Sequence, residues 1–136
     1  AAACAATAQA AVPLRDQGVC HGMAGNGHIF NRLFQATGDA RFRQAALAYF
    51  EATLDAYQPG TGIGGYQAWA MVSEMDTEST GKRRPGRIND VSLLTGSTGI
   101  GLTLLAASSD VEPKWDRVLL LNLAPAGSTS QGIAPL

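Results

Sequence analysis

Charge is what this sequence has least of. Ten Lys and Arg stand against eleven Asp and Glu in 136 residues, 15% of the chain, for a net charge of −1 with both histidines neutral. Nucleic acids and anionic membrane surfaces are held by concentrated positive charge, so neither is an expected partner. Cysteine is as scarce, with Cys4 and Cys20 the only two. That excludes a disulfide framework, since two thiols form one bridge at most, and makes a reduced, cytoplasmic chain the expectation. No apolar run approaches the roughly 20 residues that a membrane span needs. Residues 1–11 are small and apolar but lack the basic start and Leu-rich centre of a signal peptide, and read instead as the end of an alanine-rich helix. Starting inside a helical pattern, the chain is expected to be the C-terminal piece of a longer protein.

Against these absences stand hydrophobic residues, 46% of the chain, and sixteen glycines. So much apolar material with so little charge argues against disorder and predicts one globular domain in which several helices bury more than one face. The glycines gather first in Gly18-Val19-Cys20-His21-Gly22-Met23-Ala24-Gly25-Asn26-Gly27-His28, which holds both histidines and the only adjacent Cys-His pair. Thiolate sulfur and imidazole nitrogen are the usual zinc donors, and a glycine after such a pair lets the backbone turn so that both side chains can face one cavity. Cys20 and His21 are therefore candidate metal ligands. A Cys-His hydrolase is the sharp competitor, but adjacent side chains point apart and no Asn or Asp partner is evident.

Taken in order, Pro13 ends the first helix, and residues 15–18 make a polar connection. Ile29, Phe30, Leu33 and Phe34 then follow helical spacing behind the glycines. Gly38 closes that helix and Asp39 caps the next, in which Phe42, Ala45, Ala46, Tyr49, Phe50, Thr53, Leu54 and Tyr57 form one broad apolar face. Pro59-Gly60 stops it. The residues from Tyr66 to Met75 read as a short helix, and those from Asp76 to Asn89, with Lys82, Arg83, Arg84 and Arg87, as a long exposed loop. An apolar helix follows over 102–107, an amphipathic turn or two over 115–123, and a loose Pro-, Gly- and Ser-rich tail over 124–136. Tyr57, Tyr66 and Trp69 are aromatics of the kind that fill helix seams or line a peptide groove.

Gly22-x-x-Gly25-x-Gly27 has the same spacing as Gly96-x-x-Gly99-x-Gly101, and each opens an apolar helix. Each copy is followed by an acidic break, Asp39 or Asp110, and a second, amphipathic helix, the pattern of stacked helical hairpins. Gly62-Ile63-Gly64-Gly65 suggests a degenerate third entrance. A phosphate cradle would need a preceding strand and a closing Lys, and neither copy has them.

Cys20-His21-Gly22 with Gly25 after it, the paired glycine entrances, and the segment Asp90-Val-Ser-Leu-Leu-Thr-Gly-Ser-Thr-Gly-Ile-Gly-Leu together resemble the lanthionine synthetase C-like (LanC) cyclases, over residues 1–123. The resemblance implies an all-α fold, the C-terminal portion of an α/α toroid whose inner helices are entered through glycine turns. It implies zinc, with Cys20 and His21 as two of three protein ligands; the third, in a Trp-Cys-Tyr-Gly-type motif about one hairpin upstream, has no counterpart here. The activity it implies is addition of a peptide cysteine thiolate to dehydroalanine or dehydrobutyrine, closing thioether rings in a dehydrated precursor peptide. The enolate so formed takes up a proton, and His28 is the remaining candidate for that acid in this chain; its bland reading is a hydrogen-bonded core histidine. Partners implied are the precursor peptide and the missing N-terminal part of the toroid or a second copy. The alternative is a non-catalytic helical module that binds a peptide or another protein.

Overall fold

The computed structural model describes residues 16–73, 83–121 and 123–124. The alanine-rich helix expected at the start, Cys4, Lys82 and the tail beyond residue 124 lie outside the described residues. Three helices dominate: α1 (Met23–Thr37), α2 (Ala40–Asp55) and α3 (Ser97–Ser108). Two short strands, β1 (Ala68–Ser73) and β2 (Arg83–Ile88), lie between α2 and α3, and a 3-10 helix (Lys114–Leu119) follows. No helix among the described residues is long and apolar enough to cross a membrane.

The helix boundaries follow the sequence signals. α1 ends at Gly38, in the left-handed region at φ 70°, whose N–H donates to Phe34 O. Asp39 caps α2, its carboxylate accepting from Arg41 N at 2.9 Å. Hydrogen bonds from the Arg41 guanidinium and then from its backbone N–H pull the Asp39 carboxyl down to about 2. With only two residues between them, α1 and α2 fold back on each other. Phe30, Phe42, Ala45, Ala46 and Phe50 fill their seam, with Leu33, Phe34, Tyr49 and Leu104 half-buried around it. Phe30 stacks on Phe42 and Tyr49, ring centroids 6.2 and 5.8 Å away. Burial of each such aromatic stabilises by about 1.5–3 kcal/mol. A second cluster of Ala24, Tyr66 and Ile100 joins α1 to α3. Thus α1 packs against both other helices, as its several buried faces require.

Two expectations are corrected here. The fold is helix-rich but not all-α, because the segment read as a helix after Tyr66 forms β1, and part of the segment read as a loop forms β2. The strands pair antiparallel, Ala68 opposite Ile88 through Ser73 opposite Arg83. A stretch of about ten residues is too short for a lone helix to persist, whereas Trp69 and Val72 suit a pleated strand once a partner lies alongside. Arg87 places its guanidinium 5.1 Å from the centroid of the Trp69 ring across this ladder. Pro85 is tolerated because every strand of a two-stranded sheet is an edge. The four-residue glycine segment at 62–65 is no helix entrance: it lies in turns, with Ile63 bridging Tyr66, and leads into β1.

The second correction concerns the repeat. Its two copies agree at the helix entrance, but α3 is followed by Ser109 and a six-residue 3-10 helix, not by an amphipathic α-helix like α2.

Candidate metal centre

The two helix entrances share one backbone design. Gly22 and Gly96 precede their helices in nearly the same extended conformation, φ −107° and ψ −174° against φ −100° and ψ −176°. In the first loop Gly22 N donates to Gly18 O at 3.0 Å and Met23 N to Asp16 O at 3.0 Å. The second repeats both bonds, with Gly96 N to Ser92 O at 3.2 Å and Ser97 N to Asp90 O at 3.0 Å. Each aspartate also folds its carboxylate over the loop: Asp16 Oδ1 accepts from Gly18 N at 3.0 Å, and Asp90 Oδ1 from Ser92 N at 2.7 Å. The third residue into each helix must be glycine for a steric reason. A Cβ on Gly25 would lie 1.8 Å from Val19 O, and one on Gly99 would lie 1.9 Å from Leu93 O.

The loops are also stitched together. Leu94 O accepts from both Val19 N at 2.7 Å and Cys20 N at 3.0 Å, so the second entrance fixes the backbone of the first at the position that carries the thiol. Gly18 lies against Leu94 and Thr95, where a Cβ would come within 3.0 Å of their backbone. Buried Asp16, Gln17, Gly18 and Val19 thus form the base from which Cys20 and His21 project, both exposed.

The side chains on this base differ from those of its twin. Where the second loop has Leu94-Thr95, the first has Cys20-His21. Asp90 Oδ2 accepts a hydrogen bond from Thr95 Oγ1, and at the matching place Asp16 Oδ2 lies 2.8 Å from His21 Nδ1. The second contact is close in distance, with the ring N–H off the straight line of an ideal bond. The His21 side chain is 57% exposed and that of Asp16 only 11%. Cys20 is a free thiol whose proton is held more tightly than usual, first by partial burial and then by the Asp16 charge.

A ligating histidine characteristically gives its other ring N–H to a carboxylate or carbonyl, which fixes the ring and its tautomer. His21 Nδ1 lies at the distance from the Asp16 carboxylate that such a bond has, though its N–H is not aligned with the oxygen. The buried Asp16 Oδ2 has no well-directed hydrogen-bond partner among the described residues. The donor set of thiol and imidazole fits zinc in kind. Its number falls short, because no group of three or more His, Cys, Asp or Glu side chains that could hold a metal occurs among the described residues.

The other histidine lies elsewhere. His28, on α1, is fully buried, with Nε2 3.1 Å from Asp116 Oδ2 and its ring stacked on Trp115 at 4.8 Å between centroids. Arg32, one helical turn further on, reaches the same carboxylate oxygen through Nε at 3.0 Å, and donates to Gln35 Oε1 and Leu123 O, each at 2.8 Å. Burial pushes the His28 pKa below its usual value; the Asp116 hydrogen bond and charge oppose this and the Arg32 charge adds to it. Cys20 and His28 line one cavity of about 220 Å³, with Val19, Ile29, Leu119 and Leu121 as apolar walls. His28 and His21 are not brought together.

Three residues of this region escaped the sequence reading. Asp16 was readable in principle, since it precedes Gly22 by the same six positions as Asp90 precedes Gly96. Asp116 and Arg32 gave no signal, because their pairing joins segments far apart in the chain.

The sequence profile of the family described as lanthionine synthetase C-like protein matches residues 2–120. No curated protein and no solved structure matches the chain significantly. The match spans both glycine entrances, the Cys20-His21 turn and the 3-10 helix that carries Asp116, and the chain belongs to the lanthionine synthetase C-like protein family.

Proposed function

We propose that this chain belongs to an α/α-toroid cyclase in which Cys20 and His21 are two of the protein ligands of a zinc ion. The observation that carries this reading is the contact of the Asp16 carboxylate with His21 Nδ1 beside an exposed Cys20. Support for the toroid comes from α1 and α3, which start side by side from stitched glycine turns as neighbouring inner helices would, with α2 packed against α1.

The substrate class is a dehydrated precursor peptide whose cysteine thiol adds across the double bond of a dehydroalanine or dehydrobutyrine. A zinc ion held by Cys20 and His21 would supply the Lewis acidity that favours a substrate thiol in its deprotonated, nucleophilic form. The chain's own part is preorganisation. Leu94 O holds the Cys20 backbone, Asp16 holds the His21 ring, and the overlapped glycine backbones keep the base rigid. In this proposal His28, whose Nε2 is engaged by Asp116, takes part from the cavity that it lines together with Cys20. The third zinc ligand is not among the described residues.

Metal analysis of the purified protein tests the proposal. Zinc that co-purifies with the chain and is lost in Cys20→Ala and in His21→Ala supports it. The second reading, a non-catalytic module that binds a peptide or protein, is favoured by an apolar cavity of about 480 Å³ lined by Leu54, Tyr57, Tyr66, Ile100 and Leu104. A folded, metal-free protein indifferent to both substitutions supports that reading instead.

A further inference from the structure

We infer that Asp16 is a positioning residue that selects the tautomer of His21, placing the proton on Nδ1 and leaving Nε2 as the lone-pair donor. An ionised carboxylate only accepts hydrogen bonds, so a neutral imidazole whose Nδ1 lies 2.8 Å from one, a ring rotation short of a straight bond, is favoured with its proton there. Asp16 cannot simply turn away. Its other oxygen is tied to Gly18 N at 3.0 Å, Gly18 is wedged against the Leu94-Thr95 backbone, and the Asp16 side chain is only 11% exposed. The tautomer so selected is the opposite of the one a free histidine prefers in water, so the loop must impose it.

The second entrance gives this inference its contrast. Asp90 makes the corresponding backbone bond and grips Thr95, at the position matching His21. A hydroxyl has one rotatable proton and no tautomer, so there the grip merely closes the loop. The same fold device, applied to an imidazole, sets which nitrogen is left to bind a metal. The metal consequence rests on the reading of Cys20 and His21 as zinc ligands; the tautomer itself does not.

The first experiment therefore needs neither metal nor substitution. Long-range ¹H–¹⁵N spectra of the metal-free full chain, at a pH where histidine is neutral, are expected to show His21 protonated at Nδ1 and bare at Nε2. Asp16→Asn keeps the side-chain size and the acceptor for Gly18 N but turns an N–H toward the ring. It is expected to move the His21 proton to Nε2 and to weaken zinc binding, measured by chelator competition, by about 10- to 100-fold. Asp90→Asn, the same change at the other entrance, is expected to alter neither quantity. An Nε2–H tautomer in the unsubstituted protein overturns the inference, whatever the variants do. So does an Asp16→Asn protein that keeps the original tautomer. If the tautomer behaves as expected but the unsubstituted chain takes up no zinc, the ligand reading fails and the role of Asp16 toward the ring stands.

Discussion

The two helix entrances are nearly superimposable in their hydrogen bonding and opposite in their chemistry. Each has an aspartate six residues before the capping glycine, a carboxylate bond to the backbone two residues on, and a second glycine pressed against the carbonyl of the residue six before it. One presents Leu94 and Thr95, the other Cys20 and His21. The lesson is that the glycine turn is a structural module for starting a helix close to its neighbour. In the proposed function Cys20 and His21 add metal-binding chemistry to it, with the His21 imidazole lying beside the Asp16 carboxylate. Glycines at these turns are accordingly about packing.

The largest expected effect breaks the module where it is tightest. Gly25→Ala and Gly99→Ala each force a Cβ to within 2 Å of a carbonyl oxygen. Each is expected to destabilise by about 3 kcal/mol or more, well beyond the roughly 1 kcal/mol of ordinary backbone effects. Gly101→Ala is the sharpening control. Nothing lies within 4 Å of its Cβ, and within α3 the change is expected to stabilise by about 0.5–1 kcal/mol. Chemical denaturation of the three variants measures all of this, and equal losses at Gly25, Gly99 and Gly101 would remove the steric account of the repeat.

Next in size is the buried cluster below the first entrance. Asp116→Ala leaves the Arg32 guanidinium and the His28 ring without their shared acceptor, and a buried charge stripped of its partner costs about 3–5 kcal/mol. The same cluster predicts a pH dependence. His28 has a folded-state pKa below its unfolded value, so the unfolded chain binds the proton first as pH falls. Stability contributed by neutral His28 is therefore fully present above about 6.5, the free-histidine value, and is lost as pH drops through the folded pKa below it. Unfolding midpoints measured from pH 8 to 5 are expected to fall, and His28→Gln to flatten the curve. The exposed Asp39 cap gives the smallest effect. Its carboxyl titrates at about 2, so its contribution is present above the ordinary carboxylate range and is lost only as pH falls toward that value.

These contrasts also show what a single sequence discloses. The helix entrances, the Asp39 cap and the apolar face of α2 were legible because each rests on residues a few positions apart: Gly-x-x-Gly, Gly38-Asp39, and Phe42 with Ala45, Ala46 and Phe50. The β1–β2 hairpin was not, since Trp69 and Val72 declare a strand only when Arg87 and Arg84 lie opposite. Asp116 with His28 and Arg32 joins two ends of the described chain, and no local pattern encodes it. Cys20 and His21 stood out as an adjacent pair on a glycine turn; the carboxylate beneath His21 became visible only with the loop folded.

The measurement that bears most directly on the difference between the two entrances is the absorption spectrum of the protein loaded with Co²⁺ in place of zinc. A cobalt ion held by Cys20 and His21 is expected to give thiolate-to-metal charge-transfer bands. These should disappear in Cys20→Ser, weaken in Asp16→Asn and persist in Asp90→Asn. Bands that survive Cys20→Ser, or a cobalt-titrated protein that shows none at all, would contradict the assignment of the first entrance as a metal-binding version of the second.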